Sequence, residues 1–155
     1  MKKFINSDNG VSVKKAEVSD CKAVAELAAK MWYTSTREEL EDSFKEITEK
    51  NDGVVFIAVS DKKIIGFAQC GLRQDYVEGT ESSPVGYLEG VFVEKQYRKN
   101  GCAKILLREC EKWARSKGCN EFASDCELDN TDSLAFHLKV GFQEANRIIC
   151  FTKKL

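Results

Sequence analysis

The pattern of the sequence predicts an α/β fold in which one mixed central sheet carries helices on both of its faces. Apolar residues at three- and four-residue spacing predict four helices, while short β-branched or alternating runs predict six strands. These segments follow one another without a long linker, an internal repeat or a low-complexity tract. We therefore expect a single domain that spans residues 1–155.

The first half of the chain predicts a strand, two helices and a hairpin. Ser19 stands before the apolar stripe of the first helix, at a position where serine commonly caps a helix. Thr36 and Glu39 have the spacing of a capping box and mark the start of the second helix. The predicted strands are 11–16, 54–59 and 64–70, and the predicted helices are 19–31 and 36–50.

The second half opens with a loop, residues 73–84, that is rich in glycine, serine and acidic residues and contains the only proline. The clearest helix of the chain follows a central strand, and Gly118 stands where a helix commonly ends. The predicted strands are 85–93, 122–126 and 142–152, and the predicted helices are 101–117 and 129–139.

The charge balance argues against a nucleic-acid partner, because 24 Lys and Arg residues face 25 Asp and Glu residues. No apolar run approaches the ~18 residues of a membrane span, so we expect no membrane partner. Polar Asn6, Ser7 and Asp8 interrupt the N-terminal segment, which argues against a signal peptide. We expect a cytoplasmic protein.

The seven cysteines fit neither a disulfide framework nor a metal site. Their number is odd, no Cys-x-x-Cys pair occurs, and His137 is the only histidine. We expect free thiols in a reducing cytosol, and no bound metal.

A short basic turn, Arg98-Lys99-Asn100-Gly101-Cys102-Ala103, joins a strand to the clearest helix. The first N–H groups of a helix have no intrahelical partner, and its dipole is positive there, so such a turn can bind phosphate. The turn lacks the Gly-Lys-Ser/Thr of a Walker A loop and is not Gly-x-Gly-x-x-Gly. The alternative is an ordinary turn with a solvated basic pair.

Arg98-x-x-Gly101-x-Ala103 resembles the acetyl-CoA pyrophosphate motif, Arg/Gln-x-x-Gly-x-Gly/Ala, of the GNAT acetyltransferase superfamily. The resemblance covers nearly the whole chain and implies the GNAT fold, in which a splayed strand pair holds pantetheine. Asn130 matches a pantetheine-contacting position; its alternative role is a helix cap, and both roles can hold together. The cofactor-binding residues that the resemblance implies are Val91, Val93, Arg98, Lys99, Asn100, Gly101, Cys102, Ala103, Lys104 and Asn130.

Three longer stretches, residues 75–80, 83–93 and 122–130, look like the aminoglycoside 6′-N-acetyltransferases, a branch of this superfamily. Aminoglycosides are polycations, which suits the acidic loop and the acidic second helix. Asn146 stands where members of the branch carry a carboxylate. The acceptor-binding residues that the resemblance implies are Trp32, Asp75, Tyr76, Glu78, Glu89, Asp125 and Glu144.

Three residues are the predicted catalytic groups. Glu89 directly precedes Gly90, where a bulge would turn its carboxylate inward to take a proton from the acceptor amine. Asp125 would bind or deprotonate the same ammonium, and His137, which stands where many GNAT enzymes have a tyrosine, would protonate the departing thiolate. The alternatives are a salt-bridged strand glutamate, a turn-forming aspartate and a structural histidine.

The resemblance implies 6′-N-acetylation of aminoglycosides by acetyl-CoA, and a homodimer whose interface contains residues 142–155. Two alternatives remain open at this point. The chain could acetylate another amine, such as a polyamine or a protein amine, or it could bind CoA without catalysing transfer.

Overall fold

The computed structural model describes residues 5–6 and 10–155. The expectation about a signal peptide falls on residues 1–9, whose side chains lie outside the described part of the chain. Within the described residues, every helix is too short or too polar to cross a membrane.

Six strands form one sheet in the order β1 to β6, with antiparallel pairing throughout except between β5 and β6, which are parallel. The mixed sheet that the sequence predicts is therefore confirmed. The strands are β1 (Ile5–Asn6), β2 (Ser12–Lys15), β3 (Gly53–Ser60), β4 (Lys63–Arg73), β5 (Val85–Val93) and β6 (Phe122–Ser124). The helices are α1 (Cys21–Ala28), α2 (Arg37–Glu49), α3 (Cys102–Ser116) and α4 (Thr131–Lys139).

Two apolar cores lie on opposite faces of the sheet, which confirms the prediction of helices on both faces. Helices α1 and α2 cover one face, and α3 covers the other. Burial of these side chains removes a large apolar area from water and is the main driving force of the fold. The α1/α2 core contains Val24, Leu27, Phe44, Ile57 and Phe67. The α3 core contains Ile65, Leu88, Leu106, Leu107 and Cys110.

Two of the three predicted helix signals are present. Thr36 Oγ1 accepts from the N–H of Glu39, whose carboxylate accepts from the N–H of Thr36, so the capping box is formed. Gly118 follows the end of α3 with φ +86°, a conformation that glycine adopts without strain. The prediction for Ser19 is wrong, because a short 3₁₀ turn precedes α1 and Glu17 begins it.

The hairpin between β3 and β4 closes through two residues, Asp61 and Lys62. Both have positive φ, +47° and +65°, as a type I′ turn requires. At its other end β4 continues three residues beyond the predicted strand, as far as Arg73, because Leu72 and Arg73 pair with Gly86 and Val85 of β5. The start of the predicted loop is therefore the end of a strand.

The prediction of a last strand at 142–152 is wrong for the single chain. Residues 142–155 form no strand, and Ile149 and Phe151 are 82% and 90% exposed. The segment is rich in apolar residues, but a strand also requires a neighbouring strand to complete its hydrogen bonds. Strand β6 has only three residues, and its outer edge has no neighbour within the described chain.

All seven cysteines are free thiols. Five of them are buried, whereas Cys126 and Cys150 are exposed. The thiol of Cys110 lies beside that of Cys70, and this contact together with burial raises the pKa of Cys110 well above its ordinary value. The buried thiols pack as small apolar side chains.

We expect Leu106→Ala to lower the free energy of unfolding by about 2–5 kcal/mol, because Leu106 is fully buried and its loss leaves a cavity under β4 and β5. The measurement is urea unfolding followed by circular dichroism. Leu128→Ala is the matched control, since Leu128 is 77% exposed, and it should change stability by less than about 0.5 kcal/mol. Equal losses in the two variants would contradict the assignment of this core.

Candidate active site

A β-bulge at Glu89 shapes the centre of the site. Gly90 pairs with Gln69 and Leu88 pairs with Cys70, so Glu89 is an extra residue on β5 with no partner on β4. The bulge that the sequence predicts before Gly90 is therefore present. The bulge changes which side chains of β5 face α3 and which face α1 and α2.

The change of alternation is visible in the contacts of β5. Leu88 packs in the α3 core, and a side chain at Gly90 would instead meet Trp32 on the α1 side, with 2.6 Å between its Cβ and the ring. Two residues along a regular strand face the same way, so the bulge has reversed the direction. Gly90 is required here, because any larger residue would displace the ring of Trp32.

Glu89 is engaged by an arginine that the sequence analysis did not select. Arg73 donates from Nη2 to both carboxylate oxygens of Glu89, at 2.9 and 3.0 Å, and from Nε to Oε1 at 3.3 Å. The pair lies next to Gly71, where a Cβ atom would make an ordinary contact of 3.6 Å with Glu89 Oε1. The salt-bridged state of Glu89, which sequence reasoning left as an alternative, is thus present.

Asp125 lies in the same cluster. The guanidinium of Arg73 lies over the ring of Tyr87, 3.9 Å from its centroid, and the hydroxyl of Tyr87 donates to the carboxylate of Asp125. Burial and the bond to Asp125 raise the pKa of Tyr87 above its ordinary value, so the phenol stays protonated. Two carboxylates therefore flank one guanidinium and one phenol; we call Arg73, Tyr87, Glu89 and Asp125 the carboxylate cluster.

Trp32 forms the side of the site opposite the loop. Its ring packs on Phe44 and Phe67, with centroid distances of 6.3 and 6.0 Å, and lies over Gly90 beside Glu89. The ring is held by the α1/α2 core and remains partly exposed, so it offers an apolar surface next to the carboxylates.

The loop between β4 and β5 carries the other predicted acceptor residues. Tyr76 is 80% exposed and donates to Glu78 Oε2 at 2.9 Å, and Asp75 is exposed near the start of the loop. Asn146 donates to Glu78 Oε1 at 3.1 Å, so the C-terminal segment touches this loop. Glu144 is paired with Arg147, which lowers the pKa of Glu144 below its ordinary value.

A single carboxylate anchors the far end of this loop. Glu121 Oε1 accepts from the N–H groups of Glu81 and Ser82 at 2.9 and 2.8 Å, and also from the hydroxyl of Ser82. These donors favour the charged form and lower the pKa of Glu121 below its ordinary value. Sequence reasoning missed Glu121, because nothing in the sequence around it reveals a contact 39 residues away.

The basic turn has the geometry of an anion site. Gly101 caps α3 with φ +78° and has open space at its Cβ position, and Ile105 makes the first helical bond, to the carbonyl of Gly101. The N–H groups of Cys102, Ala103 and Lys104 therefore precede the intrahelical bonds of α3. Lys99 and Asn100 lie exposed in the turn.

Two side chains of the turn face the protein. Arg98 donates from Nε to the carbonyl of Val93 at 2.7 Å and lies 5.5 Å from the ring of Phe92. Burial raises the pKa of the Cys102 thiol to about 11, so this side chain is a neutral part of the α3 core. Cys102 can thus contribute its backbone N–H to an anion, while Arg98 keeps its terminal nitrogens for one.

Strands β5 and β6 separate next to this turn. They pair only from Gly86 with Phe122 to Leu88 with Ser124. The N–H of Glu94 bonds to Ile65 on β4, and in an antiparallel ladder the backbone groups alternate in direction. The N–H and C=O groups of Val91 and Val93 therefore point away from β4, to the side that β6 has left, although Arg98 already occupies one carbonyl of this set.

His137 lies at the apex of this split. Its Nδ1 is 2.7 Å from the carbonyl of Ser133, and its Nε2 is 2.8 Å from the hydroxyl of Ser124. Ser124 also approaches the carbonyl of Leu88 at 3.1 Å. Both ring nitrogens thus have partners inside the protein, and Ser124 is the polar group between His137 and the last paired residue of β5.

Asn130 is the N-cap of α4, where its side chain accepts from the N–H of Ser133 at 3.1 Å. The structure therefore forms the cap that sequence reasoning gave as the alternative to a ligand contact. Residues 10–155 and 5–6 contain no group of three or more metal-ligating side chains.

Comparison with known proteins identifies the class to which this fold and site belong. Residues 21–142 match the model of the acetyltransferase (GNAT) family, and the chain is a member of that family. It is 39% identical over 145 residues to an aminoglycoside N(6′)-acetyltransferase type 1 of Acinetobacter haemolyticus, covering 94% of this chain and 99% of the relative. It is 43% identical over 110 residues to the enzyme of the same name from Salmonella typhimurium, covering 71% and 76%.

Solved structures agree with these relatives. A crystal form of the aminoglycoside N-acetyltransferase AAC(6′)-Iy in complex with CoA superposes with a TM-score of 0.91 at 34% identity, covering 94% of this chain and 95% of the other. A complex of AAC(6′)-Iy with a bisubstrate analogue, CoA-S-monomethyl-acetylneamine, gives a TM-score of 0.89 at 34% identity, covering 94% and 99%. The GNAT fold that the sequence predicts is confirmed.

We expect Glu121→Gln to loosen the loop between β4 and β5, because a neutral amide oxygen accepts hydrogen bonds more weakly than a carboxylate. The amides of Glu81 and Ser82 should exchange with solvent faster by on the order of tenfold. Hydrogen exchange read by NMR measures this. Glu111→Gln on α3 also replaces one carboxylate by an amide, there in an ion pair with Arg115; it is the control and should leave these two amides unchanged.

Proposed function

We propose that the protein transfers the acetyl group of acetyl-CoA to the 6′-amino group of aminoglycoside antibiotics and thereby confers resistance to them. The observation that carries this proposal is the carboxylate cluster, which lies on the sheet face beside Trp32 and next to the divergence of β5 and β6. An acceptor that is a polycation requires such carboxylates, and the relatives that cover nearly all of the chain bear this activity in their names.

The residues of the turn before α3 fit the diphosphate of acetyl-CoA. The N–H groups of 102–104, the open space at Gly101 and the exposed Lys99 offer backbone donors, room and positive charge to an anion. The backbone groups of Val91 and Val93 would hold the pantetheine arm, and Asn130 lies at the start of α4 beyond the split. Acetyl-CoA supplies the activated acetyl group.

The proposed chemistry needs a base, because the 6′-amine is largely protonated at neutral pH. Glu89 and Asp125 are the proposed groups: Glu89 removes the proton, directly or through a water, while Asp125 binds the ammonium. Tyr87 orients Asp125 through its hydroxyl. Because Arg73 donates to both carboxylate oxygens, Glu89 acts after its contact with Arg73 has opened.

His137 is the proposed source of the proton for the departing thiolate. Ser124 already bonds to Nε2, so the proton reaches the sulfur through the Ser124 hydroxyl or after that contact opens. With Nδ1–H donated to the carbonyl of Ser133, the protonated ring would carry its second proton on Nε2, the nitrogen that faces Ser124.

The remaining acceptor contacts come from three elements. We propose that the ring of Trp32 stacks against a sugar, and that the loop between β4 and β5 and the C-terminal segment bind the other ammonium groups. The proposed loop and C-terminal residues are Asp75, Tyr76, Glu78 and Glu144.

We further propose a single cytoplasmic domain, residues 1–155, that forms a homodimer through residues 142–155. Exposed apolar side chains in that segment and the open edge of β6 support the dimer, because pairing with a second copy would bury the former and complete the latter.

The acceptor panel tests the function. Neomycin and paromomycin differ only in an amino or hydroxyl group at the 6′ carbon, and a hydroxyl is a poor nucleophile. We expect acetylation of neomycin and none of paromomycin at that position, measured by release of CoA thiol and by mass spectrometry. Spermidine and a peptide N-terminus are the comparison amines; if either has a much higher kcat/KM than neomycin, the aminoglycoside function fails.

We expect Glu89→Gln to lower kcat by about 10²–10⁴, since the amide cannot accept the proton of the ammonium. Acetyl-CoA affinity, measured by calorimetry, should stay the same, because Glu89 lies on the acceptor side. Glu111→Gln serves again as the control for loss of one carboxylate. Wild-type turnover in Glu89→Gln would transfer the role of base to Asp125.

We expect the wild-type protein to elute as a dimer and the double variant Ile149→Asp with Phe151→Asp to elute as a monomer, because two charges cannot be buried in the interface. Size-exclusion chromatography with light scattering measures the mass. Leu128→Asp carries the same change on an exposed residue outside the segment and should remain a dimer. A monomeric wild-type protein at micromolar concentration would refute the dimer.

A further inference from the structure

Arg73 is a cation in the middle of a site proposed to bind a cation. Its guanidinium donates hydrogen bonds to both carboxylate oxygens of Glu89 and lies over the ring of Tyr87. The hydroxyl of Tyr87 in turn donates to Asp125. We propose that Arg73 is a resident cation that the acceptor's ammonium must displace from Glu89, and that it thereby determines which amines the enzyme accepts. This inference rests on the proposed function.

Arg73 and an ammonium group cannot both make their full set of hydrogen bonds with the carboxylate of Glu89. Arg73 holds Oε1 at 2.9 Å and Oε2 at 3.0 Å, which is the two-point contact that a guanidinium makes with a carboxylate. An amine that is to lose its proton to Glu89 needs one of these oxygens. Tyr87 donates to Oδ2 of Asp125, so Asp125 can still bind the ammonium, but the proposed base is Glu89, and Arg73 must leave it first.

The surroundings of Arg73 make displacement feasible. Its side chain is 46% exposed and that of Glu89 is 30% exposed, so water can form hydrogen bonds with both side chains when the ion pair opens. Arg73 is also the last residue of β4, next to the loop, so its side chain can turn towards solvent without disturbing the sheet. Ion pairs with this exposure stabilise weakly, and opening one is a small barrier to binding.

This arrangement favours polycations over simple amines. A monoamine gains one contact with Glu89 and must break the contact with Arg73, so its net gain is small. An acceptor with several ammonium groups also binds the carboxylates of the loop, such as Glu78, and these contacts offset the loss. Arg73 therefore lowers the affinity of every amine that binds Glu89 by a similar factor, and acceptors with further ammonium groups are the ones that still bind tightly.

The test measures binding of neomycin and paromomycin to the wild-type protein and to Arg73→Gln by calorimetry, without acetyl-CoA. We expect neomycin to bind about three- to fivefold more tightly to Arg73→Gln, since the competing cation is gone. Paromomycin has no 6′-ammonium to place on Glu89, so its affinity should change no more than it does in Arg115→Gln, which removes a guanidinium paired with Glu111 on α3.

Three results would overturn the proposal. Equal tightening of both ligands would show a general effect of charge, and unchanged or weaker neomycin binding would show that Arg73 does not compete. A fall in kcat of more than tenfold with unchanged neomycin affinity would make Arg73 a positioning residue for Glu89 instead. Unchanged acetyl-CoA affinity in Arg73→Gln establishes that the variant is folded.

Failure of the proposed function can be distinguished from failure of this inference, because the former appears in the acceptor preference of the wild-type protein. If the wild-type protein prefers spermidine to neomycin, the same comparison is made with spermidine. Tighter spermidine binding by Arg73→Gln than by Arg115→Gln would then keep the role of Arg73 and change only the acceptor. If Arg73→Gln binds neither neomycin nor spermidine more tightly and the wild-type protein prefers spermidine, both the inference about Arg73 and the proposed function are rejected.

Discussion

The extra residue in β5 at Glu89 is the constraint on which the site depends. A regular strand would send Leu88 and Gly90 to the same face, and either the α3 core or the Trp32 contact would be lost. The bulge satisfies both, and it leaves Glu89 free of a cross-strand partner. One backbone irregularity thus packs two cores and puts a carboxylate between the acceptor face and the split between β5 and β6.

In the carboxylate cluster without a ligand, both carboxylates have hydrogen-bond donors, and a cationic acceptor can still replace those donors. Arg73 and Tyr87 supply the donors that Glu89 and Asp125 require, which avoids the repulsion of two neighbouring carboxylates. The partial exposure of Arg73 and Glu89 keeps their ion pair weak enough to be exchanged for the contacts of a cationic acceptor. A fully buried pair would be a more permanent structure and a poorer binding site.

Local signals in the sequence predicted what local interactions decide. The capping box at Thr36, the stop at Gly118 and the turn before α3 each depend on residues within one helical turn, and all three are present. Contacts between distant residues were not predictable. Arg73 was assigned to a loop because its place in β4 depends on pairing with Val85 of β5, on the far side of that loop.

The prediction of a strand at 142–152 failed for a related reason. Its residues have the composition of a strand, but pairing depends on a neighbour that the single described chain lacks at the outer edge of β6. The same limit applies to the anchor at Glu121, which joins residues far apart in sequence. The sequence pattern therefore indicates which segments can form a strand or helix, and tertiary contacts decide whether they do.

The acceptor site combines parts that differ in how firmly the fold holds them. Glu89 and Trp32 are fixed by the sheet and by the α1/α2 core, so the chemistry takes place against a rigid background. Tyr76 and Glu78 lie on an exposed loop that contacts the C-terminal segment through the hydrogen bond from Asn146 to Glu78 and through Ala145 beside Gly79. Substitutions in the loop and that segment can therefore change which polycations bind while the reacting groups stay in place. The amide of Asn146 is an example, because it donates to Glu78 where a carboxylate at this position would repel it.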